Sequence, residues 1–177
     1  PERLFARMEA SSPRSWKAAV NLGHLHQQRD ELQAAGAAFR KALALQPDLP
    51  SALMGLAVVE SRLGIHEDAI QLGRRALALA PGSDLMDLQL GFVFSNAGDH
   101  AAAAERFAEA ARKNPRRLDA RYHLALELAR AGQEAQARTA LGEAEALALS
   151  LGLPPSAAGG AADLARARLA PVDGTPR

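Results

Sequence analysis

The sequence predicts an all-α protein built as a tandem array of helix pairs, an α-solenoid. Three observations carry this expectation. The chain matches itself when shifted by 34 residues, and a fixed internal period is the mark of stacked supersecondary units. Within each period two apolar stripes recur at helical spacing, separated by a short turn that contains Gly or Asp. Hydrophobic residues reach 48% of the chain while aromatics make up only 4%. Alanine fills that gap, which suits helices packed at close approach.

The frame is clearest over residues 84–117. Leu90, Gly91 and Phe94 share one face of a first helix, and Gly98-Asp99 breaks it. Ala103, Phe107 and Ala110 share one face of a second helix, which Pro115 ends. The same frame returns as Leu22, Gly23, Ala35, Phe39, Ala42 and Pro47, then as Leu56, Ala57, Gly64, Ala69, Ala76 and Pro81. A last copy holds Leu124, Ala125, Leu128, Gly132, Ala137, Leu141 and Ala144. The periods therefore span 16–49, 50–83, 84–117 and 118–151. Ser15 is placed to cap the helix that starts at Trp16, Pro50 sits at a favoured helix start, and Gly64 suits a left-handed stop.

Both ends depart from the pattern. Over residues 1–15, Phe5, Met8 and Pro13 fit the second half of the frame, so this stretch reads as a half repeat or a capping helix. Residues 156–177 read as a C-terminal capping segment and unstructured tail. Leu164, Arg168 and Leu169 there are expected to form a short helix over the final pair. A start at Pro1 without Met points to a piece of a longer protein.

These residues resemble the tetratricopeptide repeat family, with its helix–turn–helix of this length and W-x2-L-G-x2-Y, A-x3-F and P positions. The likeness covers Trp16 to about Leu149. Departures are mild: Ala19, Leu53, Asp87 and Arg121 replace the Trp, and His26, Glu60, Phe94 and Leu128 replace the Tyr. Gly73 stands where the second-helix aromatic belongs. The resemblance implies a right-handed superhelix whose first helices line a concave face, and a role in protein binding rather than catalysis.

A helical wheel gives each first helix a second stripe, opposite the one that faces its partner helix. It comprises Lys17, Val20, His24 and Gln27; Ser51, Met54, Val58 and Ser61; Leu85, Leu88, Phe92 and Ser95; and Asp119, Tyr122, Leu126 and Ala129. In the family this side is the concave one. Val20, His24, Met54, Val58, Leu85, Leu88, Phe92, Tyr122 and Leu126 are the expected partner-binding residues. A connected apolar patch of that size implies a use, with aromatic anchors at Phe92 and Tyr122. Two readings compete with a peptide guest: occupation by the chain's own tail or a second copy, and simple burial between neighbouring first helices. Some relatives clamp acidic tails with Lys, Asn and Arg on this face. Here Val20, His24, Gly55, Leu85 and Gln89 hold those places, so the clamp is absent.

Other chemistries find little support. A net charge of +1 gives the whole molecule no drive toward nucleic acid. Zero cysteines exclude disulfides and thiolate catalysis. His24 and His26 point to different sides of one helix, and His66 and His100 lie one period apart, which does not build a metal site. No Ser, His and acid, no Gly-rich phosphate loop and no facing carboxylates suggest catalysis, and no cofactor is expected. Glu143 and Glu145 read as solvated-face residues. Arg112, Lys113, Arg116, Arg117 and Arg121 crowd one turn. They read as a solvated loop, the alternative being an anionic partner or lipid surface. The sequence thus reads as a non-catalytic scaffold for an apolar or amphipathic segment, in the manner of bacterial secretion, pilus or exopolysaccharide assemblies. The alternative is a targeting domain of a larger enzyme such as a glycosyltransferase, sulfotransferase or hydroxylase.

Overall fold

The computed structural model describes residues 15–154 and 160–170. They form nine α-helices and no strand: α1 Trp16–Gln28, α2 Leu32–Leu45, α3 Pro50–Arg62, α4 His66–Leu79, α5 Asp84–Asn96, α6 His100–Lys113, α7 Leu118–Arg130, α8 Glu134–Ser150 and α9 Gly160–Leu169. Of the half repeat expected over residues 1–15, all but Ser15, with Phe5, Met8 and Pro13, lies outside the described residues, as does the tail from Pro171. The chain divides into two compact units, residues 1–97 and 98–177.

Local chemistry sets the helix ends. Ser15, Ser83 and Asp99 accept hydrogen bonds from the amides of Ala18, Met86 and Ala102, at 3.3, 3.3 and 3.0 Å. Each thereby satisfies a donor that a helix start leaves open. Pro50 occupies the first turn of α3, where its missing N–H costs nothing. First helices in three periods are followed by a left-handed Gly, at Gly64, Gly98 and Gly132. Asp30 takes the same left-handed place in the first period, at φ 63°. Its short side chain tolerates that region and accepts an ion pair from Arg62.

In the first unit, α1 packs on α2, α2 on α3, α3 on α4, and α4 on α5. The first helices α1, α3 and α5 also touch their neighbours in that series. Phe39 of α2 is fully buried, and its ring lies against glycines of both flanking helices. A Cβ on Gly23 of α1 or on Gly55 of α3 would stand 2.5 Å from a ring carbon. One period later, where Gly73 replaces the aromatic, Leu90 of α5 fills the space, its Cδ1 2.7 Å from a would-be Gly73 Cβ. The side chain lost from one helix is supplied by the next.

The second unit follows the same scheme, with α6 on α7 and α7 on α8. Phe107 of α6 is again fully buried, but here it stacks on His123 of α7 at a centroid distance of 5.2 Å. The short helix expected near Leu164 and Leu169 is present as α9. It packs on both α7 and α8.

Candidate partner-binding groove

A groove of about 810 Å³ runs over the first unit between α3 and α5. Val58, Leu85, Leu88 and Phe92 make its apolar walls, and Ser61, Arg62, His66, Gln89 and Asn96 its polar end. The positions follow from helical spacing: Leu85, Leu88 and Phe92 stack on one side of α5 at intervals of three and four. Asn96 donates a hydrogen bond to Ser61 Oγ at 3.0 Å, joining α5 to α3 across the polar end. Arg62 is held by Asp30. His66 contributes a buried Nδ1 that has no hydrogen-bond partner among the described residues.

The structure divides the stripe read from the sequence. The fifth position of each first helix turns inward: Val20, Met54, Leu88 and Tyr122 are all buried, Met54 at 1% exposure. The second and ninth positions carry the accessible surface of the first unit, with Leu85 at 45% and Val58, Phe92 and His24 part-exposed. In the first unit the stripe thus has an inner edge packed between neighbouring first helices and an outer edge exposed to solvent. Val20 belongs to the core with Ala19, Phe39, Leu56 and Val59. His24 stacks edge-on against Phe39 at 5.1 Å and meets Gln27 Oε1 at 3.2 Å.

Tyr122 and Leu126, expected among the partner-binding residues, do not line this groove. Both are buried in a cluster with Ala161, Ala162 and Ala165 of α9, Tyr122 completely. The capping helix lies on the stripe that these two residues were expected to offer. Burial raises the Tyr122 pKa above its ordinary 10, against the opposing pull of the Arg166 charge.

Several acidic side chains are buried, two of them, Glu60 and Asp87, at places where the family pattern has Tyr and Trp. Glu127 is buried and receives His100 Nδ1 at 2.7 Å and Arg130 Nη1 at 2.8 Å. Glu60 is buried and receives Arg40 Nη2 at 2.8 Å, while its Oε2 has no partner among the described residues. Asp87 is fully buried. A three- or four-residue spacing to a cation was the available signal for Glu127 and Arg130. Nothing local pointed to Glu60 and Arg40, which lie 20 residues apart. His123 has its pKa lowered by burial, which outweighs the opposing charges of Asp119 and Glu127.

The basic turn is largely paired. Arg112 meets Glu109 at 2.7 Å, Arg117 meets Asp119 at 3.6 Å, and Arg121 meets Glu143 at 3.5 Å and the Pro115 carbonyl at 3.3 Å. Among the described residues no three His, Cys, Asp or Glu side chains gather as a metal site. No described helix is long and apolar enough to cross a membrane.

Comparison with known proteins agrees with this architecture. Residues 20–84 and 88–150 match the family model described as tetratricopeptide repeat. Cellulose synthase operon protein C of Pseudomonas fluorescens (strain SBW25) is 32% identical over 144 residues. That match takes in 76% of this chain and 11% of the relative, so the chain spans only a small part of its length. A crystal structure of MamA aligns with TM-score 0.75 and 19% identity, over 85% of this chain and 88% of that one. YrrB, described as a repeat protein of this type with an unusual peptide-binding site, aligns with TM-score 0.65 and 18% identity, over 93% and 91%. With both halves of the array matched to one family model and the helix pairs in place, this chain belongs to the tetratricopeptide repeat family.

Proposed function

We propose that this protein is a non-catalytic scaffold that binds an apolar or amphipathic segment of another protein in the groove between α3 and α5. The observation that carries the reading is the groove itself: a preformed channel of about 810 Å³ with Val58, Leu85, Leu88 and Phe92 on its walls. A preformed site spends little ordering entropy on the protein's side. Alternating apolar anchors with a polar end suit a strand-like or helical peptide. Phe92 and Leu85 are the accessible anchors, Leu88 is a buried part of the wall, and Met54 and Val20 lie in the packed interior away from the groove lining. The peptide-binding site named for YrrB supports the mode of action. The likeness to a cellulose synthase operon protein supports a task in exopolysaccharide assembly.

Peptide display against the intact chain tests this. Selected ligands should carry apolar residues at strand or helix spacing. Phe92→Glu should weaken them at least about 10-fold, equivalent to about 1.4 kcal/mol, while Leu149→Glu, at a residue 70% exposed, leaves them unchanged. A folded Phe92→Glu protein that binds every selected ligand as well as wild type would overturn the groove assignment.

A further inference from the structure

Helix α3 borders a second cavity on the side turned away from the groove. It holds about 410 Å³ and is lined by Leu56 and Glu60 of α3 with Asp68, Gln71, Leu72 and Arg75 of α4. Leu56 and Glu60 lie one turn apart, and helical spacing puts them opposite Val58, Ser61 and Arg62. Leu56 is buried and Leu72 half-buried, which gives an apolar floor, while Asp68, Gln71 and Arg75 are exposed at the mouth.

The Glu60 side chain in this wall is only 9% exposed, and Arg40 Nη2 donates to its Oε1 at 2.8 Å. Oε2 is sealed from water with no hydrogen-bond partner among the described residues. A half-matched buried carboxylate costs stability, and the repeat does not require one. The corresponding cavity two periods on, of about 340 Å³, has Leu128 at the place of Glu60, Ala108 at that of Arg40 and Gln136 at that of Asp68. Phe94 takes the same place in the third period. An apolar side chain therefore serves the fold here, and the acid of the second period has another cause. The surrounding charges indicate what would match it. Arg40 is engaged by Glu60 itself, and Arg75 by Asp48 at 2.6 Å. Glu60, Asp68 and Asp48 thus outnumber the two arginines, and the surplus is negative. Only a donor inserted beside Leu56 and Leu72 would satisfy Oε2, and a positive charge on an apolar stem fits both surfaces.

We propose that this cavity is a socket for a basic side chain, a Lys or Arg of a partner protein, its methylene stem on Leu56 and Leu72 and its charged head on Glu60 and Asp68. Such side chains bury their stems against apolar surface while the head keeps polar company. A charge-assisted hydrogen bond is also stronger than a neutral one. Arg40 is then a positioning residue, holding one oxygen of Glu60 and leaving the other for the guest. The socket and the groove lie on opposite sides of α3 and take different chemistry, so the two assignments fail separately.

Amide chemical shifts of the intact chain, followed by nuclear magnetic resonance during titration with acetyl-alanyl-lysyl-alanine amide, test the socket. The amides of Leu56, Glu60, Asp68 and Leu72 should move saturably. The same peptide with norleucine, which keeps the stem and lacks the charge, should bind at least about 10-fold more weakly. Leu124 and Leu128, in the corresponding apolar cavity, should not move. Glu60→Leu, which copies Leu128, and Glu60→Gln, which keeps the size of the side chain, should each weaken the lysine peptide at least about 10-fold. Far-ultraviolet dichroism checks that both variants are folded. A lysine peptide that moves none of the cavity amides, or moves Leu85 and Phe92 of the groove instead, would overturn the proposal. So would equal binding of the norleucine peptide, or undiminished binding of the lysine peptide by folded Glu60→Gln.

Discussion

Phe39 shows how single side chains set the spacing of the array. Its ring fills the volume that Gly23 and Gly55 leave open on two different helices. Adding one methyl at Gly55 puts a carbon 2.5 Å from Phe39 Cζ, well inside contact distance. Gly55→Ala should therefore destabilise the protein by about 1–3 kcal/mol through overpacking, read as a lowered thermal midpoint. Phe39→Leu in that background should recover part of the loss, and a double-mutant cycle would show the coupling. His123 gives a second residue-scale expectation. Burial lowers its folded pKa below the ordinary 6.5, so the unfolded chain takes up the proton first. Its contribution to stability is complete above about pH 6.5 and is lost as pH falls toward and through the lowered folded value. The slope from this one group is at most about 1.4 kcal/mol per pH unit. Denaturant unfolding at neutral and mildly acidic pH should show that loss, and His123→Phe should reduce it.

At the scale of the helix, the caps are the most testable feature. Asp99 is exposed and accepts the Ala102 amide at the start of α6. Asp99→Ala should cost about 1 kcal/mol, measurable by urea unfolding, while Asp99→Asn, which keeps an accepting oxygen, should cost less. Elements of this kind were legible in the sequence because their causes are local. Ser15, Pro50, Gly64 and the 34-residue period announce helix starts and stops without reference to anything distant. The outer stripe was legible only as a stripe. Periodicity places Met54 and Leu85 on one side of their helices but does not say how near the adjacent first helix lies, and that distance buries one and leaves the other at 45% exposure. The seat of α9 was illegible for a related reason. Ala161, Ala162 and Ala165 would fit on several surfaces, and nothing local specifies that they settle on Tyr122. Glu60 was missed because its partner Arg40 is 20 residues away along the chain; for Glu127 only Arg130, three residues on, was a local signal, and its other partner His100 is 27 residues away.

For the molecule as a whole, near-neutrality is the property that governs association. The net charge is +1, and the one arginine of the groove is already engaged by Asp30. A ligand held by Leu85 and Phe92 should therefore bind with little dependence on ionic strength. Calorimetric titration in low and high salt should give affinities within about 3-fold, since screening acts on exposed charge pairs and leaves apolar burial nearly untouched. A steep loss of affinity with salt would place the contact on a charged surface instead.

The accommodation of Phe39 by Gly55 and the stacking of Phe107 on His123 each join a second helix to the first helix that follows it. Excising residues 50–83, one whole period, would leave Phe39 facing Gln89 in the register now held by Gly55. Phe39 is therefore matched on both sides, to Gly23 within its pair and to Gly55 of the next. A crossover inside a helix pair keeps Phe39 with Gly55 but parts it from Gly23; one at the loop between pairs does the reverse, so a transplanted segment must carry the glycine helix on each side of the ring.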